Sequence, residues 1–268
     1  MKDLTLVAFD TETSGAYPVG SDVVEFGAVK YQNGKLVDKI EFLFQPREPM
    51  SDFIIKIHGI TNEMVKDCPS ISEKINEIHE FMRGSVLIAH HAPFDLGFLS
   101  YDFEKAKLDS PETINLCSSL LARKLIPESG NHKLQTLVKF LGIDGGSAHR
   151  ALDDAKSCYH VAAECLNRAG EEANLQKIQS IQAKNLAWDN YKIINRDDAV
   201  VSSIVEAIRT KKVLEIIYER GSRPGTPRQV IPWGIVRNPD GDYLMAFCKI
   251  DNTNKRFYLN EIRQAEVY

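Results

Sequence analysis

The stretch Leu4 to Gly15, LTLVAFDTETSG, is an apolar run that stops abruptly at two acids. No alternating polar residue interrupts Leu6, Val7, Ala8 and Phe9, which predicts a strand buried on both faces. Asp10 and Glu12 lie at its end. Side chains two apart on a strand leave from the same face, so these carboxylates point together into one place while Thr11 points away. Two aligned acids repel each other and cost stability unless protons or cations neutralise them. Hard divalent ions with oxygen ligands are the natural partners. A D-x-E on its own reads more readily as an acidic turn at a strand end.

Outward from this strand, Asp22 to Tyr31 (DVVEFGAVKY) and Lys35 to Phe44 (KLVDKIEFLF) read as strands joined at Asn33-Gly34, a hairpin signal, which makes an antiparallel edge meander. Ser72 to Met82 carries an apolar stripe through Ile75, Ile78 and Phe81, and Ser85 to Ala89 is a further short buried strand. Pro93 opens a helix, and helices are predicted over 116–124, 132–141 and 152–168. Strands first and alternating elements afterwards indicate an α/β fold, a mixed sheet flanked by helices. Residues 169–197 are polar with helical spacing at Leu175, Ile178, Ile181 and Leu186 and read as a helical linker. Beyond it, a helix over 201–209 precedes short strands at 213–219, 228–236, 243–249 and 256–259. Turns are expected at Asn238-Pro239-Asp240-Gly241 and Asn252-Thr253-Asn254. These segments predict a small β domain.

At 268 residues the chain exceeds one typical domain, and 43% hydrophobic content is ordinary for a globular protein. It has no run of 18 apolar residues, and Asp10 interrupts the N-terminal run too early for a signal peptide, so a cytoplasmic protein without membrane association is expected. Five cysteines at wide spacing, with no C-x-x-C, indicate buried reduced thiols rather than a disulfide framework or a thiolate zinc site. The net charge of −4 argues against a generally basic nucleic-acid coat. Residues 191–268 nevertheless hold 13 Lys and Arg against 10 Asp and Glu, so the C-terminal part is basic and the rest acidic.

Two more places supply inward acids. Asp95 follows His90-His91-Ala92-Pro93-Phe94 and falls in a first helical turn, where the helix dipole alone favours an acid. In His149-Arg150-Ala151-Leu152-Asp153-Asp154, periodicity separates the two neighbouring acids. Asp153 shares its face with Lys156, Ser157, His160 and Glu164 and is expected in solvent. Asp154 shares its face with Ala151, Cys158, Val161 and Cys165 and is expected inward, where it needs a partner such as a bound cation.

DTETSG around Asp10 and Glu12, HHAPFD ending at Asp95, and HRALDDA spanning His149 and Asp154 resemble the three exonuclease motifs of the DEDD superfamily, in its histidine-carrying branch. The resemblance covers residues 5 to about 168. It includes Ile57-His58-Gly59-Ile60-Thr61, similar to a loop these enzymes place beside the substrate. It implies a ribonuclease-H-like fold and removal of nucleotides from the 3′ ends of DNA or RNA, as in proofreading subunits of bacterial DNA polymerase III. It further implies two Mg²⁺ or Mn²⁺ ions, with Asp10 bridging both and Glu12, Asp95 and Asp154 completing their shells, and His149 as general base. By the same carry-over Thr11 and Thr13 hold the terminal nucleotide, and Ile57, His58 and Phe98 pack against its base. One departure is His91, where many relatives carry Asn. A non-catalytic binding module on this fold is the rival reading, and the filling of all five motif positions favours the enzyme. Monomer and homodimer both stay open.

Arg228 to Trp233 (RQVIPW), Asp242-Tyr243-Leu244 and Lys255 to Ile262 (KRFYLNEI) are similar to the WYL domain, with Asp242 in place of its defining tryptophan. This implies a small Sm/SH3-like β-barrel over residues 198–268, following an exonuclease domain over 1–168. Arg228, Tyr243 and Arg256 are expected on a face that binds nucleic acid or a regulatory ligand, since guanidinium groups match phosphate geometry and aromatic rings stack on bases. A packing or dimerisation module is the alternative.

Overall fold

The structure, a computed structural model, describes residues 4–170, 172–194, 198–237 and 241–268. The opening stretch forms β1 (Thr5–Thr13), the middle strand of a five-stranded sheet. On one side it pairs antiparallel with β2 (Val23–Gln32), which pairs antiparallel with β3 (Lys35–Leu43). On the other side it runs parallel to β4 (Val86–Ala89), and β4 runs parallel to β5 (Ile114–Cys117). The order β3-β2-β1-β4-β5 is a mixed ribonuclease-H-like sheet. Asn33 and Gly34, with φ of 51° and 74°, supply the two left-handed positions that a tight hairpin between twisted strands requires.

Helix α1 (Asp52–His58) and the single turn α2 (Asn62–Val65) flank Gly59 to Thr61, within the stretch 57–61 likened to a loop beside the substrate. Local chemistry explains them: Ser51 and Thr61 cap their N-termini, and Gly59 ends α1 in a left-handed conformation. Next come α3 (Ile71–Met82), α4 (Pro93–Lys105), α5 (Ser118–Leu125), α6 (Leu134–Leu141) and α7 (Ala151–Arg168). Helix α7 lies across β1 and β2 and buries Ala155, Cys158, Val161 and Cys165 in the core with Ala8, Val29 and Ile88. The five cysteines are free, and all but Cys68 are buried.

One expectation is corrected here, and a second segment packs more closely than its polarity indicates. The helix predicted over 116–124 starts only at Ser118, because Leu116 and Cys117 pair with Ile88 and Ala89 as the end of β5. Residues read as a linker contain α8 (Leu175–Gln182), whose Ile178 is fully buried in the core just described. Gln182 Oε1 accepts from the Cys117 amide at 2.7 Å, and Asn115 Nδ2 donates to the Leu186 carbonyl at 2.7 Å. This segment thus gives partners to polar groups along β5, the last strand of the sheet.

Farther along are α9 (Ala199–Thr210), β6 (Leu214–Tyr218), β7 (Pro227–Val236), β8 (Tyr243–Cys248), β9 (Thr253–Tyr258) and β10 (Ile262–Val267). The polar IRQAEV of β10 carries no apolar pattern strong enough to announce a strand, and it forms by pairing antiparallel with β6. All pairs in this second sheet are antiparallel, in the order β10-β6-β7-β8-β9. Among the described residues no pairing joins β9 to β10, so the expected closed barrel is corrected to an open sheet. Asn252, with φ of 50°, turns β8 into β9; most of the turn expected at 238–241 lies outside the described residues.

The chain forms two compact units that are not consecutive in sequence: 1–14, 23–95 and 111–187 in the first, 15–22, 96–110 and 188–268 in the second. In the second, Val19 and Tyr101 share a core with Ile204, Leu214, Val230 and Phe257. Among the described residues no helix is long and apolar enough to cross a membrane.

Candidate active site

Asp10 and Glu12 stand at the end of β1, as the alternation of the strand requires. Asp95, in the first turn of α4, is buried, and its Oδ1 accepts from the Thr11 amide at 3.0 Å and the Thr11 hydroxyl at 2.7 Å. Asp154 is buried on the inward face of α7, where Oδ1 accepts from Gln135 Nε2 at 2.9 Å and Oδ2 from the His149 amide at 3.0 Å. A left-handed φ of 62° at His149 accompanies that last bond. The neighbouring Asp153 is spent elsewhere, accepting from Lys156 Nζ at 2.8 Å and the Ser147 amide at 3.0 Å.

Among the described residues, Glu12, His149 and Asp154 offer ligand atoms all within 4.8 Å of one another. Asp10 and Asp95 are outside that group but are felt by it electrostatically. Burial, then the charges of Asp154, Glu25 and Asp95, pushes Glu12 up to about 8, with Arg150 opposing. Burial raises Asp95 to about 7 against the pull of its Thr11 bonds. Asp10 is driven well above the ordinary carboxylate range by burial and by Asp95, Glu12, Asp154 and Glu25. Burial likewise raises Asp154, with the His149 amide pulling the other way.

Such a set fits hard divalent ions. The donors are hard carboxylate oxygens with one imidazole, and the upward shifts show that the folded protein resists carrying these negative charges uncompensated. A stability prediction follows from the sign of the shifts. Groups whose folded pKa is raised favour the fold while protonated, so the contribution is present below about pH 4 and lost as pH rises through 7 and 8. The melting temperature of metal-free protein should fall between pH 5 and 8, allowing for other groups, and Mn²⁺ at pH 8 should restore it. An Mn²⁺ response that is the same at pH 5 and pH 8 would contradict this account.

Several other expected site residues are placed differently. Thr11 is buried with its amide and hydroxyl committed to Asp95, so it supports a carboxylate rather than reaching for a nucleotide. Thr13 is also buried. Phe98, expected against a base, is 1% exposed. His58 is buried, its Nδ1 accepting from the Ile60 amide at 3.0 Å, and burial lowers its pKa. Ile57 remains 45% exposed and free to meet a ligand. The sequence reading missed Glu25, Gln135 and Arg150. Glu25 had a visible signal, as a lone acid in the apolar VVEFGAV, whereas Gln135 had none.

In the second unit Arg228 is 3% exposed, donating from Nη2 to the Arg223 carbonyl at 2.8 Å with Nη1 3.5 Å from Asp251. Among the described residues its Nε has no hydrogen-bond partner. It lines a cavity of about 620 Å³ with Tyr218, Arg220, Ser222, Lys255 and Arg256. Tyr243 is outside this lining; its ring lies 5.2 Å from the Arg256 guanidinium.

The mixed sheet, and the acids with a histidine five residues before the last of them, accord with the exonuclease resemblance read from the sequence. Residues 7–162 match the RNase_T exonuclease family, and the chain belongs to that family. Residues 199–267 match the WYL domain. DNA polymerase III PolC-type of Halalkalibacterium halodurans is 38% identical over 169 residues, covering 63% of this chain and 12% of that protein. The PolC-type polymerase of Caldanaerobacter subterraneus is 34% identical over 221 residues, covering 81% of this chain and 15% of its own length. The chain therefore spans only a small fraction of these relatives. Among solved structures, exonuclease X in complex with 5′ overhanging duplex DNA is 27% identical with a TM-score of 0.51, covering 66% of this chain and 99% of that one. A structure of exonuclease I, 16% identical with a TM-score of 0.58, covers 91% of this chain and 55% of its own and is a likeness of fold.

Proposed function

We propose that the protein is a divalent-metal-dependent exonuclease that removes nucleotides from the 3′ ends of single-stranded DNA or RNA. The convergence of Glu12, His149 and Asp154 within 4.8 Å, beside the raised carboxylates of Asp10 and Asp95, carries this reading. Two Mg²⁺ or Mn²⁺ ions held by Asp10, Glu12, Asp95 and Asp154 would stabilise the attacking and leaving oxygens of an in-line displacement and lower the pKa of the attacking water. The protein's own residues do the rest. Exposed at the edge of the acid set, the His149 imidazole would take the proton from that water as general base. Thr11 holds Asp95 through two hydrogen bonds, and Gln135 with the His149 amide holds Asp154, so that the carboxylates are oriented before substrate arrives.

End-labelled DNA and RNA oligonucleotides with Mg²⁺, Mn²⁺ or EDTA test this directly. Stepwise shortening from the 3′ end that stops with chelator is expected. Digestion that survives EDTA would refute the metal mechanism, and binding without shortening would establish the non-catalytic alternative. Residues 1–168, 169–197 and 198–268 are proposed as exonuclease domain, connection and WYL-like domain, supported by the two family matches. A cytoplasmic location without membrane association accords with this substrate. The similarities to known proteins lend no support to a homodimer.

For the second domain we propose binding of nucleic acid or a phosphate-bearing regulatory ligand, supported by the cationic cavity and the unpartnered Arg228 Nε. Val19 and Tyr101 belong to the same core as its strands, so point substitution is a cleaner test than deletion. If Arg256 meets phosphate, Arg256→Ala should weaken binding of a long oligonucleotide and lower the salt-dependence slope by about 0.7, leaving cleavage of a very short one unchanged. Identical affinities and slopes would leave a packing role.

A further inference from the structure

Glu25 on β2 is fully buried, and both of its oxygens are engaged. Oε1 accepts from Arg150 Nε at 2.9 Å and Nη2 at 2.6 Å, and Oε2 accepts from the Ala151 amide at 2.8 Å. In the β1–β2 register it stands directly opposite Glu12. Two residues farther on, Gly27 lets the strand press against the start of α7: a Cβ there would come within 2.2 Å of the Leu152 amide nitrogen. Strand β2 therefore offers a helix N-terminus both a carboxylate and the room to reach it. An acid at that place satisfies an otherwise orphaned amide and the helix dipole, but a buried charge also needs a counter-charge, which the forked guanidinium supplies.

The consequence falls on His149. Its amide is tied forward to Asp154 Oδ2 at 3.0 Å, and the next two residues are tied to Glu25, so the backbone carrying the imidazole is held at both sides. We infer that Glu25 and Arg150 are a positioning pair that holds His149 beside Glu12 and Asp154 and keeps a fifth acid out of the ligand set. This rests on the exonuclease reading above. Neither residue needs to touch substrate. Arg150 keeps 37% of its side chain accessible, so a direct phosphate contact is the competing role that the test must separate.

The test compares the full chain with Arg150→Ala, Arg150→Lys and Glu25→Gln/Arg150→Ala, reading kcat and KM on a short single-stranded oligonucleotide, melting temperature, and amide exchange without substrate. Arg150→Ala should lower kcat by about 10²-fold, because small misplacements of a reacting group cost that much, with KM changed by no more than roughly threefold. Amides of 147–155 should exchange at least about tenfold faster, with other regions unaffected. Arg150→Lys, which retains the charge without the fork, should fold normally and recover part of kcat. The double variant should recover melting temperature over Arg150→Ala, since no unpaired buried acid remains, but not kcat. A raised KM with unchanged kcat would make Arg150 a substrate contact and overturn the inference. Unchanged exchange over 147–155, or return of kcat in the double variant, would overturn it as well. If the unaltered chain shortens no oligonucleotide the exonuclease reading fails, while the exchange measurement still decides the pair.

Discussion

Asp154→Asn is expected to lower exonuclease turnover by about 10³-fold or more while the protein stays folded, because charge stabilisation by a bound metal is worth several kcal/mol of barrier. The substitution removes charge without changing volume. Its local bonds can be kept, since an asparagine oxygen can still accept from the His149 amide, and Gln135 can turn its own oxygen toward the new amide. Asp153→Asn next door is the control. That carboxylate bonds Lys156 and the Ser147 amide at the partly exposed margin of α7, so its loss should change melting by little and turnover hardly at all. Turnover and melting temperature of both variants check the claim, and the reverse ranking would mean that the wrong acid has been assigned to the metals.

His149→Ala should lower kcat by about 10² to 10⁴-fold with oligonucleotide binding retained, as expected when a general base is removed. The ring is exposed, so its truncation leaves no cavity, and the backbone amide that holds Asp154 survives the substitution. The left-handed φ of 62° is tolerated poorly by alanine, and His149→Asn, which accepts that conformation more readily, separates loss of the imidazole from backbone strain. Both variants should be slow to a similar degree. Weak binding with normal turnover in either would sink the role of base. An active Asn variant beside an inactive Ala variant would assign the defect to the backbone.

Much of the site was legible because its signals are local. The alternation of a strand aligns Asp10 with Glu12, and the period of a helix sends Asp154 inward and Asp153 outward, so residue spacing alone sorts these acids. The N-terminal meander was readable for the same reason, with Asn33-Gly34 naming its turn. What failed depended on partners distant in sequence. Thr11 looked available for substrate until Asp95, 84 residues away, was found to occupy its amide and hydroxyl. Phe98 sits three residues past a site acid, yet the packing around α4 buries it. The polar segment after α7 looked like a linker because nothing local shows that Gln182 will meet the Cys117 amide 65 residues earlier.

Sequence by itself thus determined the α/β class and the face of strand or helix that each acid takes, because main-chain periodicity and turn chemistry are written within a few residues. Only the tertiary structure decided that Glu25, unremarked in an apolar strand, faces the start of α7 and takes Arg150 and the Ala151 amide. The physical reason is that a buried carboxylate must find its counter-charge wherever folding brings one, here 125 residues along the chain, and no local pattern encodes such a meeting.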